Sequence, residues 1–299
     1  MMRKIVSGIA LLLLAISPAS AAIKAPFLPV ILTTLNPTIF TNFSGGDQVS
    51  QLLTSPAGFF LLGTVENATS PLVTTAPLGG SDGFITAFNP QGGKLWDLRL
   101  GTAGDDVATA GYVDSLGNIW VTGSSAVSIA GSALVPGLNR LTIWEVSSAG
   151  ILLNTFSKDL ANEDIPTSIA FKGANYIIQG LSSVIGQPTF TVSLTPLGKI
   201  GTVKNSSIAP TKLVKFFSAT STAYGWLSFV TSTAIKGVIG IPLHQVTPVL
   251  TKRSLKNKSL KGIYAVQGVP LSLQYQTGLG VVLLSQGAGT YFVTIIHTK

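Results

Sequence analysis

Apolar residues in this chain come in short runs separated by glycine, proline and asparagine. No stretch shows the three-to-four spacing of a long amphipathic helix. Runs of this length, bounded by turn residues, predict strands. Gly45-Gly-Asp-Gln-Val49, Gly104-Asp-Asp-Val107 and Asn162-Glu-Asp-Ile165 each open a unit that leads into a first short strand. A second strand ending in glycine follows: Phe59 to Gly63, Ile119 to Gly123 and Tyr176 to Gly180. After a loop of variable length come third strands at Phe84 to Phe88, Leu141 to Val146 and Phe190 to Leu194. Tight turns at Asn89-Pro-Gln-Gly-Gly93, Ser147-Ser-Ala-Gly150 and Thr195-Pro-Leu-Gly198 then lead to fourth strands at Leu95 to Leu100, Leu152 to Phe156 and Ile200 to Val203.

Four short strands recurring roughly every 50 residues predict an all-β fold, a β-propeller of four-stranded blades. Two weaker copies follow. One has strands at Leu213 to Phe217, Gly225 to Val230 and Gly237 to Ile241, with a fourth near Val249. The last has Ile263 to Val266, Gly280 to Leu284 and Tyr291 to Ile296, and then the chain runs out. Thr38 to Phe43 reads as the missing fourth strand, so the amino-terminal strand would complete the last blade and close the ring. Closure removes open sheet edges. The count is about five blades, or six if two have been merged.

Residues 80–92, 101–107 and 113–123, with Gly80-Ser-Asp-Gly-Phe84, Asp114-Ser-Leu-Gly-Asn118 and Thr122-Gly123 as their core, resemble the bacterial β-propeller repeat known as the SBBP repeat. The resemblance is best over residues 80–124, extends to 45–63 and 141–180, and fades beyond 200. It implies a propeller in an exported protein, with motif residues that are mainly architectural, and it implies no reaction.

The amino terminus predicts export. Arg3 and Lys4 precede an apolar run from Ile5 to Ile16, and Ala19-Ser-Ala21 offers the small-x-small pattern of a cleavage site. The run is short for a membrane span, which needs about 20 residues. The predicted organisation is a signal peptide at 1–21, a linker at 22–37 and a propeller at 38–299, with no transmembrane segment after cleavage. The destination is the periplasm, the cell surface or the medium. The 299 residues include no cysteine, which excludes disulfides, thiol chemistry and a lipidated cysteine.

Charge changes the picture more than composition does. All eleven acidic residues lie between Asp47 and Asp164, whereas residues 165–299 carry twelve Lys or Arg and no acid. Lys252, Arg253, Lys256, Lys258 and Lys261 read as a basic loop joining the last two blades, with Lys204, Lys212 and Lys215 in the preceding corner. Such a patch could hold polyanions, whether envelope polymers, anionic lipid heads or nucleic acid, or meet another protein. It carries no nucleic-acid recognition motif or interleaved aromatics. The acidic and basic halves could also pair between copies of the chain.

Candidate chemistry is sparse. Asp47, Asp105, Asp106, Glu163 and Asp164 fall at the corners entering three successive inner strands. Converging there, they could hold Ca²⁺, the one cofactor considered; locally, each could instead cap its own turn. His244 and His297 are the only histidines, too few for a histidine metal cluster. Neither a Gly-x-Ser-x-Gly elbow nor a phosphate loop is present. The reading is a non-catalytic binding or scaffold module. The alternatives are an exported hydrolase or lyase with a carboxylate or Ca²⁺-assisted site at the channel mouth, and a subunit of a surface assembly. The face with the connections between second and third strands and between blades is expected to carry function, because its loops at 64–80 and 124–139 are the longest.

Overall fold

The computed structural model describes residues 32–42, 47–66, 69–126, 140–160, 164–208, 216–221, 223–231 and 247–297. The predicted signal peptide, Glu163, Lys212, Lys215, the predicted strand 237–241 and most of the loop 124–139 lie outside them. Two short strands come first, β1 (Leu32–Thr34) and β2 (Ile39–Asn42). Blade one is β3 (Gln48–Ser55), β4 (Gly58–Val65), β5 (Asp82–Phe88) and β6 (Lys94–Leu100). Blade two is β7 (Asp106–Val113), β8 (Ile119–Ser125), β9 (Arg140–Val146) and β10 (Leu152–Asp159). Blade three is β11 (Asp164–Lys172), β12 (Asn175–Ser182), β13 (Thr189–Leu194) and β14 (Lys204–Ser206). Blade four is β15 (Phe216–Thr220), β16 (Tyr224–Thr231), β17 (Thr247–Ser254) and β18 (Leu260–Ala265). Blade five is β19 (Val269–Gln276), β20 (Gly280–Gly287) and β21 (Thr290–Ile296). Each is an antiparallel sheet in chain order, and there is no helix among the described residues.

The amino-terminal strand β2 pairs antiparallel with β21, Ile39 opposite Val293, and supplies the fourth strand of blade five. This five-bladed β-propeller is therefore closed as the sequence predicts. The predicted linker holds one further strand. β1 pairs in parallel with β18, Leu32 opposite Ile263, and adds a fifth strand to blade four.

The late blades depart from the sequence reading by one strand. The third strand of blade four is Thr247–Ser254, and Ile263 belongs to its fourth strand rather than opening blade five. The inner strand of blade five is the mixed segment Val269–Gln276. Cationic Lys252 and Arg253 and the prolines Pro248 and Pro270 obscure these strands. Lys252 and Arg253 lie on a strand paired on both sides, by β16 and β18, and Pro270 falls where the register of β19 shifts.

Blades are held together by sandwiched apolar layers. Phe59, Phe84 and Phe88 of blade one meet Val282, Leu284 and Val293 of blade five. Leu62, Ile85 and Leu100 meet Val121 and Trp144 of blade two. Trp120 of blade two stacks on Tyr176 of blade three with ring centroids 4.2 Å apart. Every residue of β4, β5 and β8 is buried, so these central strands show no alternation of apolar and polar faces, and they bury Asp82, Thr86, Thr122, Ser124 and Ser125 along with their apolar residues.

Two local devices recur. Inner strands β3, β7, β11 and β19 each have a register shift near their start, a β-bulge. In blades one to three the carbonyl at this kink points at Gly63, Gly123 or Gly180, where a side chain would collide with Gln48, Val107 or Ile165 backbone oxygen. The turns between third and fourth strands also repeat. Asn89 Oδ1 accepts from the Gln91 and Gly93 amides, Ser147 Oγ from Ile151 and Thr195 Oγ1 from Lys199. Gly150 and Gly198 of these turns have positive φ, and the Trp96 and Phe156 rings of the preceding blade lie against them. Trp96 Nε1 also donates to the Ser148 carbonyl at 3.1 Å, latching blade one to blade two.

Candidate functional site

The face carrying the inter-blade corners was expected to gather carboxylates. The structure distributes them. Asp47 Oδ1 accepts from the Glu66 amide at 2.6 Å. Asp105 Oδ1 accepts from the amide and hydroxyl of Ser81 at 2.9 and 3.1 Å. Asp106 Oδ2 accepts from the amide of Thr102 at 2.6 Å and its hydroxyl at 3.0 Å. Each of these acids fastens a corner or a blade seam, the local role an Asx-type turn offers. Asp164 opens β11, is 3% exposed, and leaves Oδ1 without a partner. Among the described residues no three Asp, Glu or His side chains gather around a point that would hold a metal ion.

The long loop of blade one is pinned down. Leu72 and Val73 are buried in the layer between blades one and five. Asp97 on the outer strand accepts from the amides of Thr74 and Thr75 at 2.9 and 2.8 Å and pairs with Lys94 at 2.6 Å. Burial alone would raise the Asp97 carboxyl, but the Lys94 ammonium and the hydrogen bonds from Thr75 and Thr74 outweigh it and hold it well below the usual carboxylate range. Beside it, Arg99 and Asp82 form a buried ion pair at 2.8 Å. The Arg99 guanidinium donates to the Thr75 and Glu66 carbonyls, and Asp82 Oδ2 accepts from the Leu78 amide. A buried pair is costly to break by removing one partner, which leaves the other charge uncompensated. The loop's length thus reflects architecture. Sequence reasoning missed this clamp, although the register implied by the 89–93 turn sets Asp82 and Arg99 near each other across β5 and β6.

The basic run changes face. Because Thr247–Ser254 and Leu260–Ala265 are third and fourth strands, Lys256 and Lys258 sit on the hairpin within blade four, not on a corner between blades. The Leu255 amide donates to the Ala223 carbonyl at 3.0 Å, tying this hairpin to the turn between β15 and β16 at the same end. The patch therefore lies at the end of the propeller opposite the corner carboxylates. Arg253, Lys256, Lys258 and Lys261 are exposed there. Lys252 is different. Its ammonium lies 3.9 Å from the Tyr224 ring centroid and 5.1 Å from that of Trp226, a cation–π cradle. Lys204 is exposed on the outer strand of blade three. Lys94–Asp97, Arg99–Asp82 and Arg140–Asp159 form ion pairs in blades one and two.

Lys258 adopts φ 57°. At the equivalent place, just before the residue that closes the turn, blades two and three have Gly150 and Gly198. A side chain in the left-handed region costs about 1–2 kcal/mol.

No protein-family model matches the chain, and no curated protein matches it in sequence. Solved structures do match. A protein of unknown function from Bacteroides caccae is 12% identical with a TM-score of 0.38, over 82% of this chain and 73% of its own. The WD40 domain of Neurospora crassa Pan2 is 11% identical with a TM-score of 0.33, over 89% and 98%. A glucose dehydrogenase is 7% identical with a TM-score of 0.43, over 89% and 100%. No helix among the described residues is long and apolar enough to cross a membrane.

Proposed function

We propose that this protein is an exported, non-catalytic propeller, a binding or scaffold module of the cell envelope or the extracellular space that holds anionic polymers. The observation that carries the reading is the blade-four hairpin, with Arg253, Lys256, Lys258 and Lys261 exposed in a half of the chain that has no acidic residue. Cations of one sign on a projecting turn attract a polyanion over about a Debye length, close to 10 Å at 0.1 M salt. Lys258 supports it further, because a strained position that glycine would relieve keeps its charge.

The test is elution of the mature protein from immobilised dextran sulfate in a rising NaCl gradient. Arg253→Glu combined with Lys256→Glu should elute at clearly lower salt with an unchanged melting temperature. Lys258→Gly should also elute earlier while melting higher, because glycine relieves the positive φ. Elution of both variants with the wild type would refute the reading.

A further inference from the structure

The turns between first and second strands and between third and fourth strands gather at one end of the propeller. Blade packing places them there: Gly92 faces Thr38 and Ile39 at the start of β2, Gly150 the Trp96 ring on β6, and Gly198 the Phe156 ring on β10. At this end stand aliphatic side chains that the fold does not use. Leu116, 83% exposed, and Leu197, 95% exposed, each precede the positive-φ glycine of a turn. Asp114 and Thr195 hold these turns through backbone amides, so a polar residue would serve there as well. In blade two the register shift after Leu152 leaves Ile151, Leu152 and Leu153 exposed in succession. Beside them opens an apolar pocket of about 160 Å³, lined by Pro56, Phe60 and Leu95 of blade one and bordered by Gly117 and Ser148 of blade two. A lone exposed leucine is ordinary, but aliphatics repeated over one end mark an interaction surface.

Charge selects the partner. Lys172 at the end of β11, Lys199 in the second turn of blade three, and Lys256 and Lys258 on the blade-four hairpin are exposed at this same end. The acids nearest the tips are half-buried and engaged. Asp114 accepts from the Leu116 and Asn118 amides at 2.9 Å and from Trp120 Nε1 at 3.0 Å. Glu145 accepts from the Asn118 and Asn154 side-chain amides at 3.2 and 2.7 Å. The opposite end exposes aliphatics too, Ile185 and Ile208 among them, but it also carries the exposed acids Glu66 and Asp105. Only the turn end joins apolar tips to unopposed cations, the combination that seats a protein in the interface of an anionic membrane. Tips on separate turns enter a fluid bilayer independently, whereas a protein partner would need a hollow for each. We propose that this end of the propeller docks on an anionic lipid bilayer. Leu116, Ile151 and Leu197 enter the boundary between headgroups and acyl chains, while Lys199, Lys256 and Lys258 lie against the lipid phosphates. The proposal rests on the polyanion reading of the blade-four hairpin and names that polyanion as a membrane surface.

The test is sedimentation of the mature protein with vesicles of phosphatidylcholine, alone or with about 30% phosphatidylglycerol. The anionic vesicles should pellet the protein, and the neutral ones should hold it about tenfold or more weakly. Leu116→Ser combined with Leu197→Ser should weaken binding to the anionic vesicles about tenfold or more, because two apolar side chains no longer leave water. Melting and elution from dextran sulfate should be unchanged in that variant, which keeps every cation. The chain has no cysteine, so an environment-sensitive dye on Leu197→Cys reports that tip alone. Its emission should shift to the blue with anionic vesicles, and the same dye on Ile185→Cys should not shift. A protein left in solution by anionic vesicles but retained by dextran sulfate would overturn the proposal and leave the polyanion reading standing. Vesicle binding indifferent to the two leucine substitutions would overturn it too. Self-association without lipid that those substitutions abolish, with no vesicle binding, would assign the tips to contact between copies and also refute it.

Discussion

Asp106 illustrates what burial does to a single carboxyl. It has no exposed surface, sits at the seam between blades one and two, and shares its surroundings with the Asp82 carboxylate. Burial raises its pKa above the usual carboxylate value, against the lowering hydrogen bonds from Ser125 and Thr102, and Asp82 adds to the rise. The sign of the pH dependence follows. Between the unfolded value near 3.8 and the higher folded one, the native state holds a proton that the unfolded chain has released. Stability from this group is therefore greatest at the acidic side and declines as pH rises through that window. Relative to wild type, Asp106→Asn should gain stability from pH 4 to pH 7, so that the melting-temperature difference moves in its favour as pH rises. A difference that stays constant across that range would show that Asp106 keeps an ordinary pKa. The sequence marks this position as a corner acid, yet nothing local distinguishes it from exposed Asp105; burial by a neighbouring blade does.

At the scale of the element, the repeated bulge and its glycine decide how an inner strand kinks. The glycines ending the second strands stand out in the sequence, but as punctuation. Their reason is the carbonyl that the bulge of the neighbouring strand directs at them. Gly123→Ala should cost at least ~2 kcal/mol, because a methyl there meets the Val107 carbonyl backbone, which cannot move aside as a flexible side chain could. Gly225→Ala, with only the end of the Leu255 side chain at 3.5 Å, should leave stability within about 0.5 kcal/mol of wild type or raise it slightly. Urea denaturation midpoints of the two variants test the pair, and equal losses would discount the bulge contact. The turns were legible for the same local reason throughout blades one to three, since Asn89, Ser147 and Thr195 each serve their own backbone. In blade four Asn257 serves its own turn in the same way, accepting from the Ser259 amide, but Lys258 stands where glycine would, and the charged third strand reads as a loop.

At the scale of the whole molecule, ring closure depends on β2, whose Ile39 packs against the layer shared by blades five and one. Ile39→Asp should therefore destabilise the protein by about 2–3 kcal/mol through an unpaired charge in an apolar seam. Leu116→Asp, at a turn residue 83% exposed, should change little. Thermal melts of both variants decide it; an Ile39→Asp protein as stable as wild type would mean that closure contributes nothing.

By itself the sequence determined the all-β class, the turns of the first three blades and their strands except the outer one of blade three, which is Lys204–Ser206 and not the expected Ile200–Val203, and the return of the amino-terminal strand to the last blade. Those features rest on local preferences: turn residues that bond their own backbone, and apolar runs of strand length. The identity of the third and fourth strands of blade four, and hence the end of the propeller that carries Lys256 and Lys258, followed only from pairing. A charged strand is recognised by the neighbours that accept its backbone hydrogen bonds. The gathering of Leu116, Ile151 and Leu197 at the same end as Lys199, Lys256 and Lys258 likewise needed the tertiary structure, because turns of separate blades share an end only when the blades dock side by side.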